Sequence, residues 1–344
     1  MKTQDIDLES PPKIEGLRFR KFKGETDFPA MLTIIEDAAL EDQEDLIFTL
    51  ADLEHDYEHL INCDPYQDMI FAEIHNAPVA YSRVEWQQKE NPLQRVYRHF
   101  VNILPKWRMQ GIEIALINWS ESRLKEIAIE HPVEIPKFYL ITCNEKKTWF
   151  IEIITAMDYA PERYIIEMFR SLEDIPIAHL PQGVEVRPVI KEHERKIWEA
   201  SCEAFRDHWS FAIQGDEQFQ EYASSKYFQP ELWQVAWNDD EIVGSVLNYL
   251  DHDYNAKNNR LCGRTEDIST QRKWRKQGIA TALIIRSMQM FKALGMKEVA
   301  LSVDTDSPTG AQKLYQNLGY KKEKTFIEYR KPLQPSLKTE KKDA

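Results

Sequence analysis

Apolar residues recur along this chain at two alternating periods. Ile279, Leu283, Met290 and Leu294 fall at helical spacing, and Gly295 stands where a glycine ends a helix. The run from Glu298 to Val303 that follows is rich in branched residues and predicts a buried strand. An Asp/Ser/Pro turn over residues 304–308 then opens a short helix that Gly319 stops, and residues 325–330 supply another strand. Upstream the pattern predicts strand 184–189, helix 191–205, and strands 232–237 and 241–250 around the turn residues Asn238, Asp239 and Asp240. The earlier part of the chain repeats the scheme. Strand 17–23 and helix 28–40 come first. A hairpin of 68–74 and 77–86 follows around Asn76, then strand 95–104, helix 111–130 and strands 138–143 and 163–169.

The repetition has a fixed register. Gly16-Leu17-Arg18-Phe19-Arg20 matches Gly183-Val184-Glu185-Val186-Arg187, and Arg108-Met109-Gln110-Gly111-Ile112-Glu113 matches Arg275-Lys276-Gln277-Gly278-Ile279-Ala280, both at an offset of 167 residues. Two separated landmarks at one offset imply an internal duplication. The length of 344 residues suits two domains. The boundaries expected are a disordered tail at 1–12, a first domain at 13–173, a linker at 174–182 containing Pro176 and Pro181, a second domain at 183–333, and a disordered tail at 334–344.

In the second copy the run Arg275–Ala280 places a glycine and a small residue at a helix start. There the unpaired N–H groups of the first turn can close around phosphate oxygens. With Leu314-Tyr315 and Leu318-Gly319-Tyr320 behind it, this order of motifs resembles the GNAT superfamily of acyl-CoA N-acyltransferases over roughly residues 183–333. The resemblance implies an α+β fold (an α/β sandwich) of two tandem GNAT-like domains, each a mixed, mostly antiparallel sheet flanked by helices. It also implies acetyl-CoA as cofactor. The pyrophosphate would be held by Arg275, Lys276, Gln277, Gly278, Ile279, Ala280 and Thr281, and the pantetheine by backbone groups of Ile268 and Thr270. Ser307 stands where the family often has asparagine and is a further candidate contact. Tyr315 matches the family tyrosine that can protonate the departing thiolate; the plainer reading is an aromatic filling a core gap. Glutamates on the strand before the motif serve as bases in a number of GNATs, which makes Glu266 the candidate base; its alternative is a rim carboxylate that binds a cation or pairs with Arg264. Neighbours on a strand point to opposite faces, so only one of Glu266 and Asp267 is expected to face the acceptor, with Asp267 the candidate substrate-binding carboxylate. Asp207, His208 and Trp209 follow the first helix of this half, where GNATs build the acceptor pocket. His208 could relay a proton and Trp209 stack on the acceptor, or the pair could simply cap and fill a helix end. The tandem arrangement resembles mycothiol synthase-like proteins, but nothing in the sequence reads out a sugar-cysteine acceptor.

The two copies are not equivalent. Glu113 sets a carboxylate where Ala280 stands, which repels a diphosphate. Aligning Met157-Asp158-Tyr159 with Leu318-Gly319-Tyr320 puts Ile154 opposite Tyr315. The first copy is therefore expected to be non-catalytic; loose acyl-CoA binding is the alternative.

The net charge of −13, from 57 acidic and 44 basic residues, disfavours nucleic acid and suits a cationic amine. The four cysteines are scattered without a CxxC pair, which predicts reduced thiols and no metal site. No apolar run reaches the length of a membrane span and Met1–Pro12 is unlike a signal peptide, so a cytoplasmic location is expected. The expected activity is acetyl transfer by direct attack of a primary amine, on a small molecule or peptide, in a monomer or homodimer. The rival is an inactive acyl-CoA-binding sensor.

Overall fold

The computed structural model describes residues 5–209, 211–307 and 309–333, and its strands join into one twelve-stranded sheet. The first half contributes β1 (Leu17–Arg20), β2 (Met69–Ile74), β3 (Ala77–Glu90), β4 (Leu93–Ile103), β5 (Lys137–Asn144) and β6 (Ala160–Ser171). Its helices are α1 (Phe28–Glu41), α2 (Leu50–Glu58), α3 (Pro65–Asp68), α4 (Ile112–Ile129) and α5 (Thr148–Ala156). The second half adds β7 (Glu185–Val186), β8 (Gln234–Asn238), β9 (Glu241–Tyr249), β10 (Cys262–Thr270), β11 (Glu298–Asp304) and β12 (Lys321–Pro332). Its helices are α6 (Lys191–Ala204), α7 (Asp216–Ser224), α8 (His252–Lys257), α9 (Ile279–Ala293) and α10 (Ala311–Asn317).

The strand order is β1-β2-β3-β4-β5-β12-β6-β11-β10-β9-β8-β7. Among the described strands, β4–β5 and β10–β11 run parallel and the remaining pairs antiparallel, as the resemblance implies. The middle of the order reveals an exchange. β12 pairs with β5 of the first half, from Phe326↔Asn144 to Pro332↔Phe138, and β6 pairs with β11 of the second, from Glu298↔Ser171 to Asp304↔Ile165. β6 and β12 also pair with each other. Ile327, Tyr329 and Leu333 consequently pack into the first-half core with Ile117, Leu124 and Ile154. Burying such side chains contributes about 2 kcal/mol each, so β12 anchors one half to the other. The second-half core lies between the sheet and α9, around Leu283, Met288, Phe291, Val299 and Leu301.

Several expectations need correction. Residues 5–12 are not a free tail: Asp5 bridges to Arg20, the Ile6 N–H donates to the Phe19 carbonyl at 2.8 Å, and Ile6 and Leu8 pack on the first-half core. Two apolar anchors and the backbone pairing within the segment outweigh its acidic composition. The expected strand 184–189 shrinks to Glu185–Val186, which lies at the sheet edge with only β8 to pair with. The expected tail at 334–344 lies outside the described residues. Among those residues, no helix is long and apolar enough to cross a membrane.

Candidate active site

β10 and β11 pair only from Cys262↔Glu298 to Arg264↔Ala300 and then part. The N-terminus of α9 faces the resulting wedge. Before it the chain makes a short 3-10 turn over Arg272–Trp274. Lys276 (φ 62°) and Gly278 (φ 83°) then take left-handed conformations, Gly278 serving as the N-cap. No side chain caps α9, so its first-turn N–H groups lack an internal partner. A Cβ built on Gly278 would meet nothing within 4 Å and would project into open space. The glycine is thus demanded by the backbone and by whatever approaches it, not by packing.

The wedge opens into a cleft of about 550 Å³. β10 supplies Glu266, Asp267, Ile268 and Thr270. The loop and α9 supply Arg275, Lys276, Gly278, Ile279, Ala280 and Thr281, and Asp207, His208, Ser307 and Tyr315 complete it. Two candidates lie elsewhere. Gln277 donates to the Lys273 carbonyl at the surface (3.2 Å), and the Trp209 ring lies beneath the guanidinium groups of Arg330 and Arg163 at 4.2 and 4.6 Å from its centroid. Trp209 is engaged by cations of the protein and is not among the residues that line the cleft.

The expectation that Glu266 and Asp267 diverge fails for a local reason. The register with β9 runs from Glu266↔Leu247 to Ser269↔Ser245, so two residues of β10 oppose one of β9. Asp267 takes φ 44° in this bulge, and both carboxylates line the cleft. Bulges re-aim side chains in this way. They also leave Asp267 and Ile268 without a register partner on β9, where β11 has already departed.

Loss of solvent pushes the Glu266 carboxyl up to about 8; Arg264 opposes this and the nearby Asp267 and Glu167 add to it. Arg264 is committed to an ion pair with Glu167, which Lys324 shares at 2.7 Å. Asp267 is raised too, also by loss of solvent, although it keeps more accessible surface than Glu266. Burial raises the Tyr315 hydroxyl above its ordinary value, so it stays protonated; its ring meets Tyr320 edge-on at 6.0 Å. Burial lowers His208. Arg275 braces the loop: its guanidinium donates to Asp207 (2.8 Å) and to the carbonyls of Ala204 (2.9 Å) and Thr270 (3.2 Å). Hydrogen bonds from Arg272 and Arg275 hold Asp207 below the usual carboxylate range.

The first half keeps the scaffold and closes the site. Pro105–Trp107 forms the equivalent turn, Met109 and Gly111 have φ of 60° and 91°, and Arg108 grips Asp42 at 2.7 Å as Arg275 grips Asp207. The Pro12 Cβ lies 3.5 Å from a Cβ placed on Gly111, so the amino-terminal segment reaches the space equivalent to the one open over Gly278. Glu113 is 1% exposed, with one carboxylate oxygen unpartnered. β4 pairs with β3 through Arg98, His99 and Phe100 without a bulge. His99, 167 residues before Glu266, meets the Tyr159 hydroxyl at 2.7 Å and is pushed down to about 3 by burial.

A second cleft, of about 600 Å³, lies between the halves and shares Glu266 and Asp267 with the first. Its walls include Asp52 and Asp56 of α2 and Glu221 and Tyr222 of α7, none of which the sequence reading singled out. A signal was present for α2: Thr49 and Asp52 form a capping box, each side chain accepting the other's backbone N–H.

The sequence model of the Acetyltransferase (GNAT) family matches residues 195–320. A mycothiol acetyltransferase of Paenarthrobacter aurescens (strain TC1) is 25% identical over 182 residues, a match covering 52% of this chain and 55% of that protein. The fold is similar to a GCN5-related N-acetyltransferase from Sphaerobacter thermophilus (TM-score 0.71, 23% identity, 94% of this chain and 97% of that one). It is also similar to a tandem GNAT protein from the clavulanic acid biosynthesis pathway (TM-score 0.64, 13% identity, 93% and 99%). Residues 195–320 thus match the Acetyltransferase (GNAT) family model, within a chain whose fold is similar to that of a tandem GNAT protein.

Proposed function

We propose that the protein is an acetyl-CoA-dependent N-acetyltransferase, active in its second half, that acylates a primary amine by direct attack. Both helices start uncapped, and the observation that carries this is what lies over them: open space at Gly278, against Pro12 at 3.5 Å from a Cβ placed on Gly111 and the buried Glu113 carboxylate. The second loop fits a diphosphate, with N–H groups of Gly278–Thr281 as donors and Lys276 as a nearby charge. Bound there, the cofactor supplies an acyl thioester.

The protein's own groups then have three tasks. Glu266, its carboxyl raised to about 8 and so closer to an amine than an ordinary glutamate, accepts the proton an ammonium must lose before its nitrogen can attack. The bulged backbone at Asp267 and Ile268 offers N–H groups to the carbonyl oxygen as it gains charge. As the N–C bond forms and the C–S bond breaks, Tyr315 donates its proton to the departing sulfur. Cys262 is 2% exposed and its thiol is pushed up to about 12, mainly by burial, which argues against an acyl-enzyme. The test is thiol release from acetyl-CoA across a panel of primary amines. Amine-dependent release supports the reading; calorimetry with no acetyl-CoA binding would overturn it.

A further inference from the structure

The second cleft meets the first at Glu266 and Asp267, so a molecule lying in it reaches the candidate base from the side opposite the α9 loop. Both halves build it. His55 and His59 of the first half contact the Ser224 hydroxyl of the second at 3.0 and 3.3 Å, and Lys226 bridges Asp52 and Asp253 at 3.0 and 3.2 Å. Lys226 therefore serves two carboxylates and leaves others without a cation. Asp56 has an ion pair only with His55, at 3.8 Å, with the Arg83 charge also acting on it. Glu221 forms no ion pair among the described residues, with His55 and His59 nearby. These two carboxylates come from opposite halves, and both also line a further groove that continues between the halves. Burial raises both, and Asp56 adds to the rise at Glu221. Tyr222 and Tyr249 add aromatic surface suited to a cation. The cleft thus joins a reactive end at Glu266 to a remote pair of carboxylates that form no direct ion pair with a lysine or arginine among the described residues.

Resting on the transferase reading above, we infer that the acceptor is a diamine or longer polyamine. One amine meets Glu266 while a second, still protonated, sits between Asp56 of the first half and Glu221 of the second. The first half thereby supplies acceptor recognition although its own cofactor loop is closed.

The test compares kcat/KM for 1,5-diaminopentane and spermidine with that for n-pentylamine, in the full chain and in D56N, E221Q and the double variant. Calorimetry with acetyl-CoA runs in parallel. The dications should be preferred by about tenfold or more, and each substitution should cut that preference by about tenfold through KM, the size of one lost ionic contact. Acetyl-CoA affinity should hold, and the Asp56 side chain is 51% exposed, so folding is not at stake. Equal use of monoamine and diamine, or a preference that survives the double variant, would overturn the inference and leave the transferase standing. Absence of acetyl-CoA binding would remove both.

Discussion

Gly278→Ala and Gly111→Ala form a matched pair. Both glycines are left-handed N-caps, at φ 83° and 91°. An alanine there costs about 1 kcal/mol in backbone strain, of which roughly half is returned by the stiffer unfolded chain. Neither new methyl clashes: nothing lies within 4 Å at Gly278, and Pro12 stands at an ordinary 3.5 Å at Gly111. Both variants should therefore melt within about 2 °C of the parent. Cofactor affinity should separate them. The methyl at Gly278 occupies the approach to the α9 N–H groups, and losing two charge-assisted hydrogen bonds at about 1.5 kcal/mol each weakens binding roughly a hundredfold. Calorimetric titration with acetyl-CoA reads both the affinity and the number of sites. One site per chain is expected, lost in Gly278→Ala and retained in Gly111→Ala. Equal weakening in both, or less than threefold in the first, would refute the division of labour.

Three further outcomes follow from the same geometry. Tyr315→Phe removes the proton donor without touching the α9 loop, so kcat/KM should fall about a hundredfold at constant acetyl-CoA affinity; a matching loss of affinity would assign the tyrosine to packing. Glu266 must be ionised to act as a base and its pKa is raised to about 8, so kcat/KM should climb as pH rises through 8; Glu266→Gln should abolish that limb, and a profile unaltered in shape would exclude the residue. Residues 1–173 and 183–333 expressed apart each lack the strand the other lends, so gel filtration should show aggregates alone and a one-to-one complex when co-expressed; two stable monomers would contradict the exchange.

What the sequence disclosed was whatever is local. The 167-residue offset located both loops, and the left-handed Met109 and Lys276 follow the same register. The bulge was hidden because Thr265-Glu266-Asp267-Ile268-Ser269 contains no glycine and reads as a plain strand. The strand exchange was hidden for a different reason. The alternation in Arg163–Phe169 and Thr325–Arg330 is the same whichever sheet neighbour receives it, because pairing partners are set by tertiary contact. Helix α2 has one buried side chain, Leu53, too little for a period to register, although its capping box was legible. The surroundings of Trp209 were not legible because its guanidinium partners, Arg163 and Arg330, come from β6 and β12, which only the fold brings beside it.

The exchange of β6 and β12 also bears on how such a chain can change over time. A duplicated copy that no longer binds cofactor would ordinarily be free to shorten or disappear. Here the first copy completes the sheet of the second through β6 and receives β12 in return. The first copy can differ at positions such as Glu113 and Ile154 and still lend its strand, whereas deleting it would strip the second half of the strand beside β11. Substitutions on the surfaces facing the shared cleft leave that pairing intact, and on the proposed reading they are the ones free to alter the acceptor.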